Sequence, residues 1–337
     1  MAPSVPTAFA RARDLVTPAM RETIERLAPG IRRVVVYHLG WENADGRPGD
    51  ADGGKAVRPA LALVSAEAVG AEAERAVPGG VAVELVHNFS LLHDDVMDGD
   101  TERRHRPTAW KLFGIGEAIL AGDALHALAQ ELLIDPPEPE RLRAAAALSE
   151  ATAAMITGQS EDLSFESRAD VTIEECLDML AHKTAALMSC ACKIGAILGD
   201  ADDRSISSLG DFGRQVGLAY QAVDDVLGIW GKPEATGKPA WSDLRQRKKT
   251  LPVVSALAAG GPAADRLAAL LAGDLANEED VALAAKLVEE NGCRERAMEE
   301  ASRRLASALG CLDRIEAPAA ARKDLEEIAG FITSREF

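Results

Sequence analysis

The side chains of this sequence that could do chemistry include two groups of carboxylates, each inside an apolar helical segment. Residues 84–98 read ELVHNFSLLHDDVMD, so Asp94 and Asp98 are four apart and share one side of a helix end, with Asp95 beside them. Three carboxylates there repel one another and oppose the negative end of the helix dipole. A divalent cation such as Mg²⁺ would offset both costs. The alternative is an acidic helix end that water solvates.

The second group lies far along the chain, in residues 217–230, which read GLAYQAVDDVLGIW. Its acidic pair is costly to bury without a partner, and Gln221 lies one turn before it. Two helices of one bundle that each point an acidic pair inward would form an oxygen-lined site for more than one metal ion. The predicted metal ligands are therefore Asp94, Asp95, Asp98, Asp224 and Asp225.

Basic side chains surround both groups at positions that could bind a diphosphate. Arginine forks and lysine ammonium groups are natural partners for its many acceptor oxygens. Each could also be an ordinary solvated cation, although Lys183 lies in an apolar helix that should not carry a bare ammonium. The candidates are Lys55, Arg58, Arg103, Arg104, Lys183, Lys238 and the run Arg247, Lys248 and Lys249.

The elements that must position these groups have the period of helices throughout the chain. The run RVVVYHL at 33–39 is the one tempting strand, and its neighbours favour the end of an early helix. We predict an all-α fold, a single large helical bundle over residues 1–337 in which residues 1–20 are flexible. The helical segments are 58–70, 80–98, 115–133, 141–163, 173–198, 205–228 and 250–259.

Composition agrees with helices and excludes several classes of protein. Hydrophobic residues make up 47% and aromatic residues only 4%, and the net charge is −17, which argues against nonspecific binding to nucleic acid or anionic membranes. The five irregularly spaced cysteines fit neither a disulfide framework nor a zinc site. Without an apolar leader or a membrane-spanning stretch, we expect a soluble cytoplasmic protein.

Seven motifs occur in order: GKxxRP, HxxxLxHDDxxD, RR, GQxxDL at residues 158–163, KT, Gln-x-x-Asp-Asp and GK. The set resembles the trans-isoprenyl diphosphate synthase (polyprenyl synthetase) family, in register over roughly residues 50–255. The resemblance implies a homodimer of all-α subunits, each with a deep central cavity. It also implies a Mg²⁺-dependent prenyltransferase that joins isopentenyl diphosphate to an allylic diphosphate.

The resemblance further implies a role for each motif. Three Mg²⁺ ions per active site would be held, with substrate bound, by Asp94, Asp95, Asp98 and Asp224. The allylic diphosphate would also contact Arg103, Lys183, Thr184, Gln221 and Lys238. Isopentenyl diphosphate would contact Lys55, Arg58, His87 and Arg104. Lys248 would help to cover the site. Catalysis would depend on Asp94, Asp95, Lys183 and Asp224.

The sequence departs from the family pattern at two places. The second aspartate motif is usually DDxxD, but here Gly228 occupies the last position. We expect metal binding to survive this loss, with a water in place of the missing carboxylate. The other departure is His105-Arg106, where Gly-Lys or a similar pair is usual, and it leaves Arg103 and Arg104 intact.

Two other functions stay open. A class I terpene cyclase would share the aspartate cluster but would not need the second diphosphate site of Lys55, Arg58, His87 and Arg104. A catalytically weak regulatory subunit of a synthase would typically lose the first aspartate motif, which this chain keeps. Consumption of isopentenyl diphosphate separates both from a synthase.

Product length is predicted from the helix that carries the first cluster. Ser90 lies directly beneath Asp94 on the same face, and Phe89 lies about 7.5 Å below it toward the flank. In the resembling family, an aromatic residue five positions before an uninterrupted DDxxD motif goes with C20 products. We therefore expect geranylgeranyl diphosphate, with farnesyl diphosphate as the second choice, unless Phe89 is an ordinary core residue.

Overall fold

The computed structural model describes residues 5–49, 54–231, 240–273 and 277–333. Within them, none of the helices has the length and apolar character needed to cross a membrane. The helices are α1 (Thr7–Ile24), α2 (Pro29–His38), α3 (Val57–Ala68), α4 (Val77–Met97), α5 (Ala109–Phe113), α6 (Ile115–Ile134), α7 (Pro139–Glu166), α8 (Ile173–Leu180), α9 (Ala186–Leu198), α10 (Asp203–Trp230), α11 (Ser242–Arg245), α12 (Leu251–Ala258), α13 (Gly261–Ala272), α14 (Glu278–Glu290), α15 (Cys293–Leu312) and α16 (Ala319–Thr333).

The fold class is all-α, as the sequence predicts. In the described part of the chain, the only strands are β1 (Glu102–Arg103) and β2 (Arg106–Pro107), which form one short hairpin. The run RVVVYHL falls largely in α2, so its helical interpretation is confirmed. A short 3₁₀ turn, Ala73–Ala76, precedes α4.

The amino-terminal segment differs from the expectation of flexibility. Residues 7–24 form α1, and an apolar face with Phe9, Ala12 and Val16 is buried in the core. The ring of Phe9 meets that of Phe331 in α16 edge to face, with centroids 5.5 Å apart. The helix is ordered because burying this face offsets the entropy lost on folding.

Local sequence sets where several helices begin. Thr172 and Glu175 form a reciprocal capping box at the start of α8, which satisfies backbone donors that would otherwise lack partners. Asp202 caps α10 by accepting from the Ser205 N–H at 2.7 Å. Where these two helices begin matters, because α8 leads toward Lys183 and α10 carries the second acidic pair.

The helix α9 lies between the two helices that carry the acidic groups. It packs against α4 on one side and against α10 on the other, while α3 and α7 also contact it. Close approach to α3 requires Gly195, since a Cβ there would overlap the carbonyl of Ala62. Another long helix–helix contact joins α4 to α6. These contacts fix α4 and α10 within one bundle.

All five cysteines are buried and unpaired. They lie in helices, and the structure contains no disulfide among them, as their irregular spacing predicts. Burial raises the pKa of Cys192 to about 12, so this thiol stays protonated and unreactive near neutral pH.

Candidate active site

The first acidic group lies at the end of α4, as predicted. The backbone N–H of Asp98 bonds to the carbonyl of Asp94 at 2.8 Å, which places the two carboxylates one turn apart. Burial raises the pKa of Asp94, the nearby Lys183 ammonium lowers it, and Asp98 raises it again, with a net upward effect. Partly buried like charges therefore destabilise this helix end unless cations are close.

Asp95 points away from that face and pairs with the hairpin. Its Oδ1 accepts from Arg103 Nε at 2.7 Å. Burial raises the pKa of Asp95 to about 6, although Arg103 partly opposes the effect. Oδ2 is buried and finds no hydrogen-bond partner among the described residues. One oxygen of this carboxylate is thus committed to Arg103 and the other retains capacity to accept.

Lys183 and Thr184 lie in a π-helical turn, Ala181–Ala185, between α8 and α9. Such turns are rare and frequent at functional sites, because the extra residue changes which side chains face inward. Lys183 Nζ donates to Asp162 Oδ2 at 2.5 Å. The turn fits against α7 at Gly158, where a Cβ would overlap the backbone nitrogen of Lys183. The absence of a side chain at 158 therefore permits this position of Lys183.

A chain of hydrogen bonds links the π turn to the second acidic group. Thr184 Oγ1 donates to Gln221 Oε1 at 2.8 Å, and Gln221 Nε2 donates to Asp225 Oδ1 at 2.9 Å. The other oxygen of Asp225 accepts from the Leu251 N–H at the start of α12, at 2.8 Å. Burial raises the pKa of Asp225 to about 7, against these two hydrogen bonds. Asp225 is fully engaged in this arrangement, whereas Asp224 is half-exposed beside it.

The segment after α11 closes over the end of α4. Gln246 Nε2 donates to Asp100 Oδ1 at 3.0 Å, and Lys248 Nζ donates to Asp98 Oδ2 at 3.1 Å. Burial lowers the pKa of Lys248, but the surrounding carboxylates of Asp98, Asp162 and Asp243 outweigh it, so the net change is upward. The ammonium of Lys248 is therefore a fixed positive charge among acidic groups.

A second basic group forms beside the first acidic one, where α3, α4 and the hairpin meet. Arg58, Arg104 and His87 act on one another electrostatically, and the carboxylate of Glu84 lies among them. Burial and the arginines lower the pKa of His87 well below its usual value, so its imidazole is neutral. Arg58 Nε is buried, with no hydrogen-bond partner in the described ranges.

The hairpin turn presents Arg104 through a left-handed backbone. Arg104 has φ 52° and His105 has φ 60°, the region that a two-residue type I′ turn needs and that glycine adopts most easily. His105 occupies the position where glycine is usual in the resembling family. The turn keeps its left-handed shape despite the departure, and Arg103 and Arg104 both face the site.

The remaining predicted residues are distributed unevenly. Lys55 is exposed, with Nζ 5.4 Å from the centroid of the Phe331 ring. Lys238 lies outside the described residues. Phe89 is buried between α4 and α6, where its ring stacks on His126 with centroids 5.3 Å apart. Ser90 Oγ donates to the His87 carbonyl at 2.8 Å.

The carboxylates fit a hard divalent cation by chemistry, since all the donors are oxygens. The buried, unpartnered Oδ2 of Asp95 is an acceptor of the kind that such a site uses. However, within the part of the chain that the structure describes, no three His, Cys, Asp or Glu side chains form a ready-made metal site. A cation would therefore draw the carboxylates together or share its coordination with a bound anion.

Four site residues were not assigned a role from the sequence. Asp162 belongs to the GQxxDL motif, to which the sequence assigns no role. Its carboxylate accepts a hydrogen bond from Lys183. Glu84 lies three positions before His87, and nothing in the pattern marks it as the neighbour of two arginines. His38 and Asp243 reach the site from elements far along the chain, and no local spacing predicts their contacts.

Comparison with known proteins agrees with this geometry. A model of the polyprenyl synthetase family matches residues 50–288. A (2E,6E)-farnesyl diphosphate synthase of Mycobacterium tuberculosis is 49% identical over 96% of this chain and 92% of its own. A geranylgeranyl diphosphate synthase from the same species is 44% identical over 97% and 93%. The crystal structure of a polyprenyl synthetase from Streptomyces coelicolor A3(2) has a TM-score of 0.93 and 51% identity, and the match covers 98% of this chain and 99% of that one.

Gly158→Ala should displace the π turn and weaken binding of inorganic diphosphate at least about tenfold, or roughly 1.4 kcal/mol. The reason is that the added Cβ overlaps the backbone of Lys183. Isothermal titration in MgCl₂ measures the affinity. The matched control is Gly330→Ala in α16, where a Cβ meets no atom within 4 Å. Wild-type affinity in Gly158→Ala would contradict the role of the π turn.

Proposed function

Since this chain belongs to the polyprenyl synthetase family, we propose that it extends an allylic diphosphate with isopentenyl diphosphate and releases geranylgeranyl diphosphate (C20). It is a prenyltransferase of the isoprenyl diphosphate synthase type. The observation that carries the two-substrate assignment is the pairing of an acidic group around Asp94 with a separate basic group around Arg58. A terpene cyclase needs only the first of these.

The allylic diphosphate would bind between the two acidic groups. Lys183 and Lys248 already lie there as fixed cations. Asp94, Asp95, Asp98 and Asp224 would hold Mg²⁺, with Asp225 next to them, and we propose three ions per active site. When bound, Mg²⁺ supplies charge neutralisation for the leaving diphosphate. Thr184 and Gln221, bonded to each other in this structure, would turn toward phosphate oxygens, together with Arg103 and Lys238.

Isopentenyl diphosphate would bind at the basic group. Arg58 and Arg104 supply charged donors, and neutral His87 can donate a further hydrogen bond. Glu84 balances the two arginines, because bringing them together without a counter-charge would be costly. Lys55 lies at the outer end of this group, just before α3. Arg103 pairs with Asp95 and also acts electrostatically on His87, so it would bring the two substrates close together.

The reaction would begin when the C–O bond of the allylic diphosphate breaks and its electron pair leaves with the diphosphate. The double bond of isopentenyl diphosphate then attacks the allylic carbon, and a proton is lost to the departed diphosphate. The side chains orient both substrates and exclude water, which would otherwise capture the cation. Buried apolar residues of α4, including Leu85 and Leu92, suit that task.

A C20 product is favoured by the position of Phe89. Its ring lies below Asp94 on α4, wedged between His93, with centroids 4.8 Å apart, and His126 of α6. A Cβ added at Gly122 would lie 3.4 Å from this ring. Packing on three sides holds the ring in place, which is what a floor beneath the growing chain would require. Farnesyl diphosphate is the second candidate, because the relative that is 49% identical is named for it.

We also propose that the chain acts as a homodimer through α6. Ile115, Ile119 and Leu120 form an apolar stripe on its outer side, continued by Leu112 of α5, and these residues are 39% to 54% exposed. A contiguous exposed stripe of this kind usually marks a contact surface. A second copy of the chain is the occupant that family resemblance implies, and its own α6 would present a matching stripe.

Radiolabelled isopentenyl diphosphate, supplied with C5, C10 and C15 starters, tests the proposed reaction. Asp94→Ala should lower kcat at least about 100-fold, roughly 2.7 kcal/mol, because it removes a ligand that positions the leaving group. The control is Asp265→Ala, which changes an exposed residue of α13. No consumption of label by the wild-type chain would refute a synthase, and a fully active Asp94→Ala would refute the site.

Phe89→Ala should shift products beyond C20, since removing the ring opens space toward His126 and Gly122. Products are separated by chain length after incubation with labelled substrate. Phe212→Ala, which removes a fully buried ring from α10, controls for loss of core packing alone. A folded, active Phe89→Ala with an unchanged product distribution would remove the physical basis of the C20 assignment.

Leu120→Asp should convert a dimer into a monomer, because it places a charge within the apolar stripe on α6. Sedimentation velocity measures the mass. The control is Ile173→Asp, which is also exposed but lies at the start of α8. A wild-type monomer, or a Leu120→Asp variant that remains dimeric, would show that this surface does not join two subunits.

A further inference from the structure

The hairpin that carries Arg103 and Arg104 is fastened to the end of α2 by Arg106. Arg106 Nη1 donates to the Tyr37 carbonyl at 3.1 Å, and Nη2 donates to the Glu42 carbonyl at 3.0 Å. The Tyr37 carbonyl is among the last four of α2, at the negative end of the helix dipole, where a cation is stabilised. The planar fork of a guanidinium suits two acceptors placed in this way.

Tyr37 returns the contact from the side of the helix. Its ring lies 4.4 Å from the guanidinium carbon of Arg106, measured to the ring centroid, which is an attractive arrangement. Its hydroxyl donates to the Pro107 carbonyl at 2.7 Å. Tyr37 is 5% exposed, so its side of these contacts is shielded from water. Tyr37, Arg106 and Pro107 thus form a reciprocal clasp, which joins β2 to α2.

The clasp acts on the strand opposite the one that it holds. In the register of the hairpin, Arg106 is paired with Arg103. Asp95 holds Arg103 directly, whereas Arg104 lies in the turn between the strands, so its position follows that of the hairpin. A Cβ at Gly54 would lie 3.1 Å from Nη2 of Arg104, so this guanidinium reaches the loop before α3. Fixing β2 therefore fixes where Arg104 meets the basic group.

Packing between the hairpin and the end of α2 is incomplete. A cavity of about 40 Å³ lies there, lined by His38, by Asp95 and by the three arginines of the hairpin. The space is large enough for water, so close packing alone does not hold the hairpin in place. Directed contacts such as those of the clasp have to restrain it.

We propose that Arg106 and Tyr37 are positioning residues for isopentenyl diphosphate: their clasp holds the hairpin against α2 and thereby holds Arg104 at the basic group. The donors of Arg106 are directed to backbone carbonyls, so it acts through Arg104 and not on the substrate. This role deepens the proposed function and rests on it for the identity of the substrate. The effect should fall mainly on isopentenyl diphosphate, since Asp95 holds Arg103 independently.

Hydrogen–deuterium exchange of the substrate-free protein tests the clasp itself. In Arg106→Met, peptides covering residues 101–108 should exchange at least about tenfold faster than in the wild type, because the hairpin is released from α2. Arg33→Met is the matched control. Its guanidinium also donates to a carbonyl, that of Ala44, and lies over a ring, that of Phe113, but neither partner belongs to the hairpin. Unchanged exchange in Arg106→Met, or an equal gain in the control, would overturn the clasp.

Isothermal titration with isopentenyl diphosphate, without a starter, tests the positioning role. Affinity should fall at least about tenfold in Arg106→Met and about threefold in Tyr37→Phe, which keeps the ring but loses the bond to Pro107. Arg106→Lys keeps a cation beside the ring and should recover affinity to within about threefold of wild type. In Arg106→Met the KM for isopentenyl diphosphate should rise about as much as affinity falls, while kcat and the KM for the allylic diphosphate stay within about threefold.

Unchanged affinity in Arg106→Met, an equal rise in both KM values or no recovery in Arg106→Lys would each overturn the positioning role. If Arg106→Met does not fold, Tyr37→Phe decides, and wild-type affinity in that variant would count against the role. The proposed function is judged separately. A wild type that binds no isopentenyl diphosphate overturns the function, whereas normal binding with an unaffected Arg106→Met overturns only the role of the clasp.

Discussion

Repulsion between carboxylates in a partly dry space is the constraint on which this structure depends. Asp94 and Asp98 at the end of α4 converge with Asp162 of α7 and Asp243 of α11. Burial raises the pKa of Asp94. Lys183 and Lys248 offset that repulsion, because their ammonium groups lie 2.5 Å and 3.1 Å from acidic oxygens. The surrounding bundle is the framework that holds these like charges close together. A cation that bound here would compete with these lysines for the acidic oxygens.

Small residues make that convergence possible. Gly158 lets α7 meet the π turn that carries Lys183, and Gly228 lets α11 meet α10. At 158 an added methyl group would overlap the backbone of Lys183, and at 228 it would overlap the carboxylate of Asp243. The second acidic group is also tied to the rest through Thr184, Gln221, Asp225 and Leu251. Positions are set by backbone contact and hydrogen bonds rather than by apolar packing alone.

The sequence predicts the fold class and the two acidic helices because those features are local. Periodic apolar residues mark α4 and α10, and the aspartates interrupt them visibly. The family resemblance assigns Arg58, His87 and Arg104 to one substrate, and the two arginines lie close enough to His87 to lower its pKa. The sequence does not predict that α1 is packed, since a short amphipathic segment is ordered only by its partner. Nor does it place Glu84, Asp162 or Asp243, because their contacts arise where elements distant in sequence meet, and the π turn depends on a hydrogen-bond shift without a sequence signature.

The contact between Gly228 and Asp243 also restricts how such a chain can change over generations. A side chain acquired at 228 requires the carboxylate of Asp243 to move or to be lost. The two positions are therefore coupled, and a change at one alters which residues the other tolerates.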